Sequence, residues 1–219
     1  MSRRSLTVTR EDPQRADYAR ADVLYAGMPP RDLGPARRLK WVQLHMAGVN
    51  ALYDHPLYTE SAVTLTTTSG VHAATIAEYA ITVLLALAHR VPRMVEWQRP
   101  GRLAARTSSA GRCSCRPRCA ARRSASSATA ASVASCARIA KTAFAMRVLA
   151  CKRDPAQRAD AGYCLPGTGD PDGRAARRVA VGPHSSPALL AQSDVVVHGA
   201  PLTPADARHM IGAARARDA

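Results

Sequence analysis

The sequence predicts an α/β protein built on parallel sheet, and three observations carry that prediction. Short strand-like runs recur along the chain, in ADVLYAG (21–27), the β-branched SAVTLTTTSG (61–70) and SDVVVHGA (193–200). Helical segments alternate with them, and alternating strands and helices imply parallel pairing. At 219 residues and 47% hydrophobic composition, the chain can bury one large core or two small ones.

Each element has its own local reason. ADVLYAG reads as a short strand ending in a turn, with Pro29-Pro30 behind it. In LKWVQLHMAGVN (39–50) a strand over 41–45 leads into a glycine-containing loop. SAVTLTTTSG is β-branched and reads as a third strand. Thr75-Ile76-Ala77-Glu78 fits a capping box, in which Thr75 takes a free backbone N–H and Glu78 reaches back. A helix follows, with Ile76, Ala80, Val83, Leu84 and Leu87 on one face, and Pro92 ends or kinks it. Residues 137–154 give a helix end, a turn and a strand at 147–151. The Gly/Pro/Asp-rich 164–178 reads as a surface loop. PALLAQSDVVVHGAPLT (187–203) gives a helix, a buried strand Val195–Val197 and a loop opened by Pro201.

Residues 102–136 break this pattern. They hold seven Arg, no acidic residue, no aromatic and four of the six Cys. The net charge of +15 would suggest a polyanionic partner, but seven of those charges sit here and the other 184 residues carry +8. Nucleic-acid-binding stretches interleave Arg with aromatics or Gly, so nucleic acid is not the favoured partner. Cys113, Cys115 and Cys119 match no common zinc spacing, and no metal is expected. MSRRSLTVTR has no apolar run behind its basic start, and the longest run, Ala80 to Ala88, is too short to span a bilayer. These features predict a soluble, cytoplasmic chain without a membrane partner.

MAGVN (46–50), LTTTSGVHAATIAEYAITVLLALA (65–88) and SDVVVHGAPLTP (193–204), in that order and spacing, resemble the D-isomer-specific 2-hydroxyacid dehydrogenase family. The resemblance covers roughly 20–100 and 137–212. It implies a flavodoxin-like substrate domain with a Rossmann-type dinucleotide-binding domain, NAD or NADP as cofactor, and hydride transfer to or from a small 2-keto or 2-hydroxy acid. The domains it implies are 1–74, a partial substrate domain; 75–100, the interdomain helix; and 101–219, an incomplete dinucleotide-binding domain. Ala47, Gly48, Val49 and Asn50 resemble the loop whose backbone N–H groups hold the substrate carboxylate; small residues suit that task, although the family usually has Asp where Asn50 stands. Thr68 resembles a cofactor contact. Ala200 and Pro201 resemble the loop beside the cofactor ribose, where the family often has Thr in place of Ala200. Many NAD-binding members carry Asp at the end of the second Rossmann strand; Lys152-Arg153 stands here, either to meet a 2′-phosphate or as solvated loop charges. The helix 75–91 resembles a region near the family's dimer contact, which implies a homodimer. The family's substrate-gripping Arg and its His–acid pair lie beyond the matched stretch. His45, His55, His72, His89, His184, His198 and His209 match none of these positions and are expected to be surface or packing residues, so no catalytic residue is assigned.

Where the family has a strand, GxGxxG and a helix start, this chain has no glycine between Gly111 and Gly162. The codons of RCSCRPRCAARRSASSATAASVASC (112–136), read two bases shifted, admit VLLPPEVRGATVGIVGYGSIGREL. Ala125, Ala128, Ala130 and Val133, whose codons all begin with G, supply the hidden glycines at the fingerprint spacing. The expectation is therefore a frame-displaced phosphate loop, with 102–136 irregular or disordered, because SASSAT cannot fill a core as VGIVG would. The last codons admit a similar shift, IGAARARDA to IGAA-ELAMP, and the start reads short of the family's first strand and helix, so the chain reads as truncated and inactive. A second reading is a non-enzymatic fragment whose Arg-rich segment binds nucleic acid or another polyanion. It requires salt-sensitive binding that disappears when 102–136 is deleted.

Overall fold

The structure, a computed structural model, describes residues 15–99, 123–127, 131–152, 154, 156, 159, 162–176, 178–181 and 186–199. It divides into two compact units, Met1–Thr68 and Ser69–Ala219.

In the first unit, helix α1 (Arg15–Arg20) precedes strands β1 (Val23–Ala26), β2 (Trp41–Leu44) and β3 (Thr64–Thr66). The three strands pair in parallel in the order β1-β2-β3, with Tyr25 opposite Gln43 and Gln43 opposite Thr66. The predicted strands are all present, the third shorter than 61–70. Alternation along β2 sends Val42 and Leu44 into a core with Ala36, Leu39, Leu52 and Leu57. Each such side chain, fully withdrawn from water, contributes about 1.5–3 kcal/mol. The other face carries the exposed Val23, Tyr25 and Trp41, and the Trp41 indole donates to the Thr66 hydroxyl at 2.7 Å.

His55 is the packing histidine that the sequence led us to expect. It is buried at the N-cap of the short helix α2 (Pro56–Thr59), where its Nδ1 accepts the Leu57 N–H at 3.0 Å. Its Nε2 donates to the Pro29 carbonyl at 3.2 Å, which assigns the neutral Nε2–H tautomer. His55→Ala would leave two buried polar groups unpaired and a gap. We expect a loss of about 2–4 kcal/mol in urea unfolding, whereas the exposed His72→Ala should change stability by under about 0.5 kcal/mol.

The second unit holds α3 (Ala73–Ala88), α4 (Val91–Gln98), β4 (Arg123–Ser127), α5 (Ala131–Phe144), β5 (Arg147–Lys152), β6 (Arg178–Val181), α6 (Ser186–Ala191) and β7 (Val195–His198). Its four strands are parallel in the order β6-β5-β4-β7. Counted within the unit this is 3-2-1-4, the order of the first half of a doubly wound dinucleotide-binding sheet plus its first strand across the switch point. Val148, Leu149, Ala150 and Cys151 are all buried, as expected of a strand covered on both faces.

Three expectations need correction here. The capping box at Thr75 does not form: α3 already starts at Ala73 behind His72, with no side-chain cap, because the turn at Gly70 (φ 90°) lets Ala73 N–H reach the Gly70 carbonyl. The expected face of α3 is also turned. Ala73 and Ala77 are buried, while Ile76 is 50% and Leu87 65% exposed; of the five predicted residues, Leu84 packs on the core cluster. Close approach decides this: α5 presents Ala137 and Ala140, and the Cys136 thiol sits 3.8 Å from the Ala77 carbonyl, so small residues face inward. Finally, 102–136 is not irregular throughout. Residues 102–122 and 128–130 lie outside the described residues, but Arg123–Ser127 is a strand and 131–136 is helical. β4 is flanked by β5 and β7, so backbone pairing on both edges holds it despite poor β-formers. Alanine supports the helix.

Pro92 acts as expected on the preceding helix. α3 stops, Arg90 turns left-handed (φ 56°), and α4 restarts with Pro92 in its first turn, bent 63° from α3. Among the described residues no single helix is long and apolar enough to cross a membrane. Ala145, just past α5, is also left-handed (φ 50°), and Met146 N–H closes on the Ala140 carbonyl. We expect Ala145→Gly to stabilise the chain by about 0.5–1.5 kcal/mol, read as a higher urea midpoint at unchanged slope.

Candidate functional site

Parallel sheets bind ligands at the carboxyl ends of their strands. Each unit places predicted site residues at such an end.

In the first unit, β2 runs out at Leu44 into His45, Met46 and the loop 47–50. The exit is fixed from both sides. His45 N–H donates to the Ala26 carbonyl (3.2 Å), the Thr68 hydroxyl donates to the His45 carbonyl (2.9 Å), and Thr68 N–H donates to the Met46 carbonyl (3.1 Å). Thr68, predicted as a cofactor contact, thus has its hydroxyl proton engaged in holding the loop's entry, and only its lone pairs face outward. Beyond, Asn50 opens a short 3₁₀ turn, Asn50–Leu52, with Leu52 N–H on the Val49 carbonyl (2.8 Å). Ala47, Gly48 and Asn50 are exposed and Val49 is half-buried. Among the described residues no hydrogen bond occupies the N–H groups of Ala47, Gly48 or Val49. A Cβ on Gly48 would lie 2.9 Å from the Asn50 side-chain oxygen, so Gly48 lets that amide fold over the loop. Three successive backbone donors that no described residue engages, on a loop of small residues, suit an anion.

In the second unit, the switch point lies between β4 and β7, and the β4–α5 connection is residues 128–130. A dinucleotide's pyrophosphate needs backbone donors there, with no Cβ between them and the ligand. This chain has Ala128-Thr129-Ala130 there and Val133 in the first turn of α5, and Val133 is only 3% exposed. By sequence no glycine stands at these positions; residues 128–130 themselves lie outside the described residues. Lys152 is the last residue of β5, half-buried, with its ammonium 3.5 Å from the Ala159 carbonyl. Arg153, Ala200 and Pro201, the other predicted cofactor contacts, lie outside the described residues, as do Cys113, Cys115 and Cys119. Among the described residues no group of His, Cys, Asp or Glu could hold a metal ion. Burial pushes the Cys136 and Cys151 thiols up, which keeps them protonated and unreactive.

The sequence reading missed how α5 grips the 162–176 loop. The Arg138 guanidinium donates to the Gly167 and Gly169 carbonyls, the Lys141 ammonium to the Arg174 carbonyl, and the buried Ser135 hydroxyl accepts the Gly169 N–H. Asp170 takes the N–H groups of Arg174 and Ala175. Gly70 sits so near Tyr163 that a Cβ would fall on the Tyr163 carbonyl. Residues 164–176 of the predicted loop 164–178 are irregular, but anchored; Arg178 opens β6, a strand the sequence reading did not assign. The three-residue spacing of Ser135, Arg138 and Lys141 puts them on one face of α5, but the backbone carbonyls they meet leave no mark in the sequence.

No protein-family model matches the sequence, and no curated protein matches it. Solved structures do share its fold. A D-isomer specific 2-hydroxyacid dehydrogenase from Xanthobacter autotrophicus Py2, in complex with NADPH and MES, superposes with a TM-score of 0.66 at 22% identity, over 92% of this chain and 56% of that one. An NADPH-dependent glyoxylate/hydroxypyruvate reductase from Sinorhizobium meliloti, in complex with NADP and sulfate, gives 0.60 at 17%, over 84% and 50%. A D-lactate dehydrogenase from Aquifex aeolicus, complexed with NAD and lactic acid, gives 0.59 at 15%, over 88% and 52%. The chain spans about half the length of these proteins.

Proposed function

We propose that this chain is an NAD(P)-dependent D-2-hydroxyacid dehydrogenase by descent, and that as written it neither holds the cofactor nor turns over substrate. The observation that carries the reading is the position of the β4–α5 turn. The shifted reading of the codons puts glycines at 128, 130 and 133. β4 ends at Ser127 and α5 starts at Ala131, so in sequence 128 and 130 lie between strand and helix and 133 in the helix's first turn, the spacing a pyrophosphate fingerprint has.

In this reading residues 1–74 are the partial substrate domain, 75–100 the interdomain helix and 101–219 the incomplete dinucleotide-binding domain. The N–H groups of Ala47, Gly48 and Val49, unengaged among the described residues, with Asn50 behind them, take the carboxylate of a small 2-keto or 2-hydroxy acid. Thr68, Lys152, Arg153, Ala200 and Pro201 belong to the cofactor side. The chain's own residues at the carboxylate loop bind and orient the acid. The protein is cytoplasmic and dimeric, and the exposed Ile76, Tyr79, Val83 and Leu87 of α3 support pairing with a second copy. Size-exclusion chromatography with light scattering should give twice the chain mass; a monomer at micromolar concentration removes that part.

The substrate half is tested on the chain as it exists. Glycolate titrated into isotopically labelled protein should move the amide signals of Ala47, Gly48 and Val49 more than any others in the first unit. Signals that stay still there contradict the assignment.

A further inference from the structure

We infer that His45 extends the carboxylate loop into a site for 2-hydroxy or 2-keto acids bearing a second carboxylate. This rests on the reading of residues 47–50 as the substrate carboxylate site.

His45 leaves the middle strand of the first sheet, and its backbone is bonded to the exits of both neighbours, at Ala26 and Thr68. The side chain is therefore carried by a backbone held from both neighbouring strands' exits. The residue is nevertheless exposed, and among the described residues nothing hydrogen-bonds its ring nitrogens. The buried His55, by contrast, has both nitrogens engaged. The His45 ring is seated on Gly27: a Cβ there would lie 2.5 Å from Cε1 and 3.0 Å from Nε2. The glycine after β1 thus makes room for the imidazole. Tyr25 flanks it, with ring centroids 6.2 Å apart and planes tilted by 54°.

Along the chain, Ala47 lies two residues from His45, so their Cα atoms are within about 7 Å of each other. One carboxylate on the 47–49 amides leaves a second one, on a three-carbon diacid, within reach of an imidazole N–H. A histidine donor to a carboxylate forms a charge-assisted hydrogen bond, strong enough for roughly a tenfold preference over a mono-acid.

The test compares tartronate, a hydroxy diacid, with glycolate, its mono-acid counterpart, by NMR titration of the full chain. The expected result is that both move the Ala47–Val49 amides, that tartronate alone moves the His45 ring signals, and that tartronate binds about tenfold more tightly. His45→Ala, at an exposed position, should bring the ratio to about one. Gly27→Ala should do the same by displacing the ring. If both acids move the loop amides but the ratio is near one, or survives in His45→Ala as general attraction to a basic chain, the inference is overturned and the loop assignment stands. If neither acid moves the loop amides, both fall.

Discussion

A chain whose residues 113–136 are exchanged for the shifted reading, ending VGIVGYGSIGREL, should bind NADPH or NADH at least a hundredfold more tightly than the chain as written. Strand β4 and helix α5 are present in the chain as given, and the shifted reading is expected to keep a strand followed by a helix at the same positions. What differs is whether backbone N–H groups at 128 and 130 can approach a pyrophosphate, and whether position 133 lets the helix close against the strand as glycine does. A pyrophosphate held by two or three charge-assisted bonds loses about 1.5–3 kcal/mol for each one blocked, and every 1.4 kcal/mol is tenfold. Two lost bonds already exceed the hundredfold. Fluorescence titration of the reduced nucleotide reads the difference directly. Equal affinities for the two chains would show that the glycines are not what this site lacks.

The second large effect is on stability. Register pairs Ser124 with Val148 and Val195, and Ser126 with Ala150 and Val197. A strand between two others in a parallel sheet is ordinarily rich in β-branched residues. Ser124→Val with Ser126→Ile, the residues of the shifted reading at those positions, should raise stability by about 2–4 kcal/mol together. Nucleotide affinity should stay that of the original chain, because the turn is untouched. A double variant no more stable than its parent would mean that β4 tolerates serine at these positions without cost. The pair of experiments separates damage to the sheet from damage to the ligand loop.

Much of this fold is legible in the chain because its strands are short apolar runs bounded by turn residues, although β7, expected to be buried, is half-buried. VVV at 195–197 and VLAC at 148–151 read as strands at sight, and both are. The loop after β2 was legible from Ala47-Gly48, since small residues at a strand exit suit backbone donors. Three features were not legible, each for a physical reason. The buried face of α3 is set by how closely α5 approaches, which favours Ala73 and Ala77 over the larger Ile76 and Leu87 that periodicity selects. The strand at Arg123–Ser127 follows from pairing on two edges, which composition cannot report. The anchoring of 162–176 depends on carbonyls of Gly167, Gly169 and Arg174 turning toward Arg138 and Lys141, and backbone acceptors have no sequence signature. His45 is a milder case: its residue type was noted, but the room made for it by Gly27 emerges only in three dimensions.

The central claim, that the phosphate loop is present in the gene but displaced in frame, is tested most directly by determining the coding DNA across codons 102–136 and into its flanks. The account predicts third bases that make the shifted frame read a strand, GYGSIG and a helix start without a stop codon, bounded by a base gained or lost on each side. Third bases incompatible with glycine at positions 128, 130 and 133 would contradict it, and the Ala/Ser/Arg stretch would then be the chain's own.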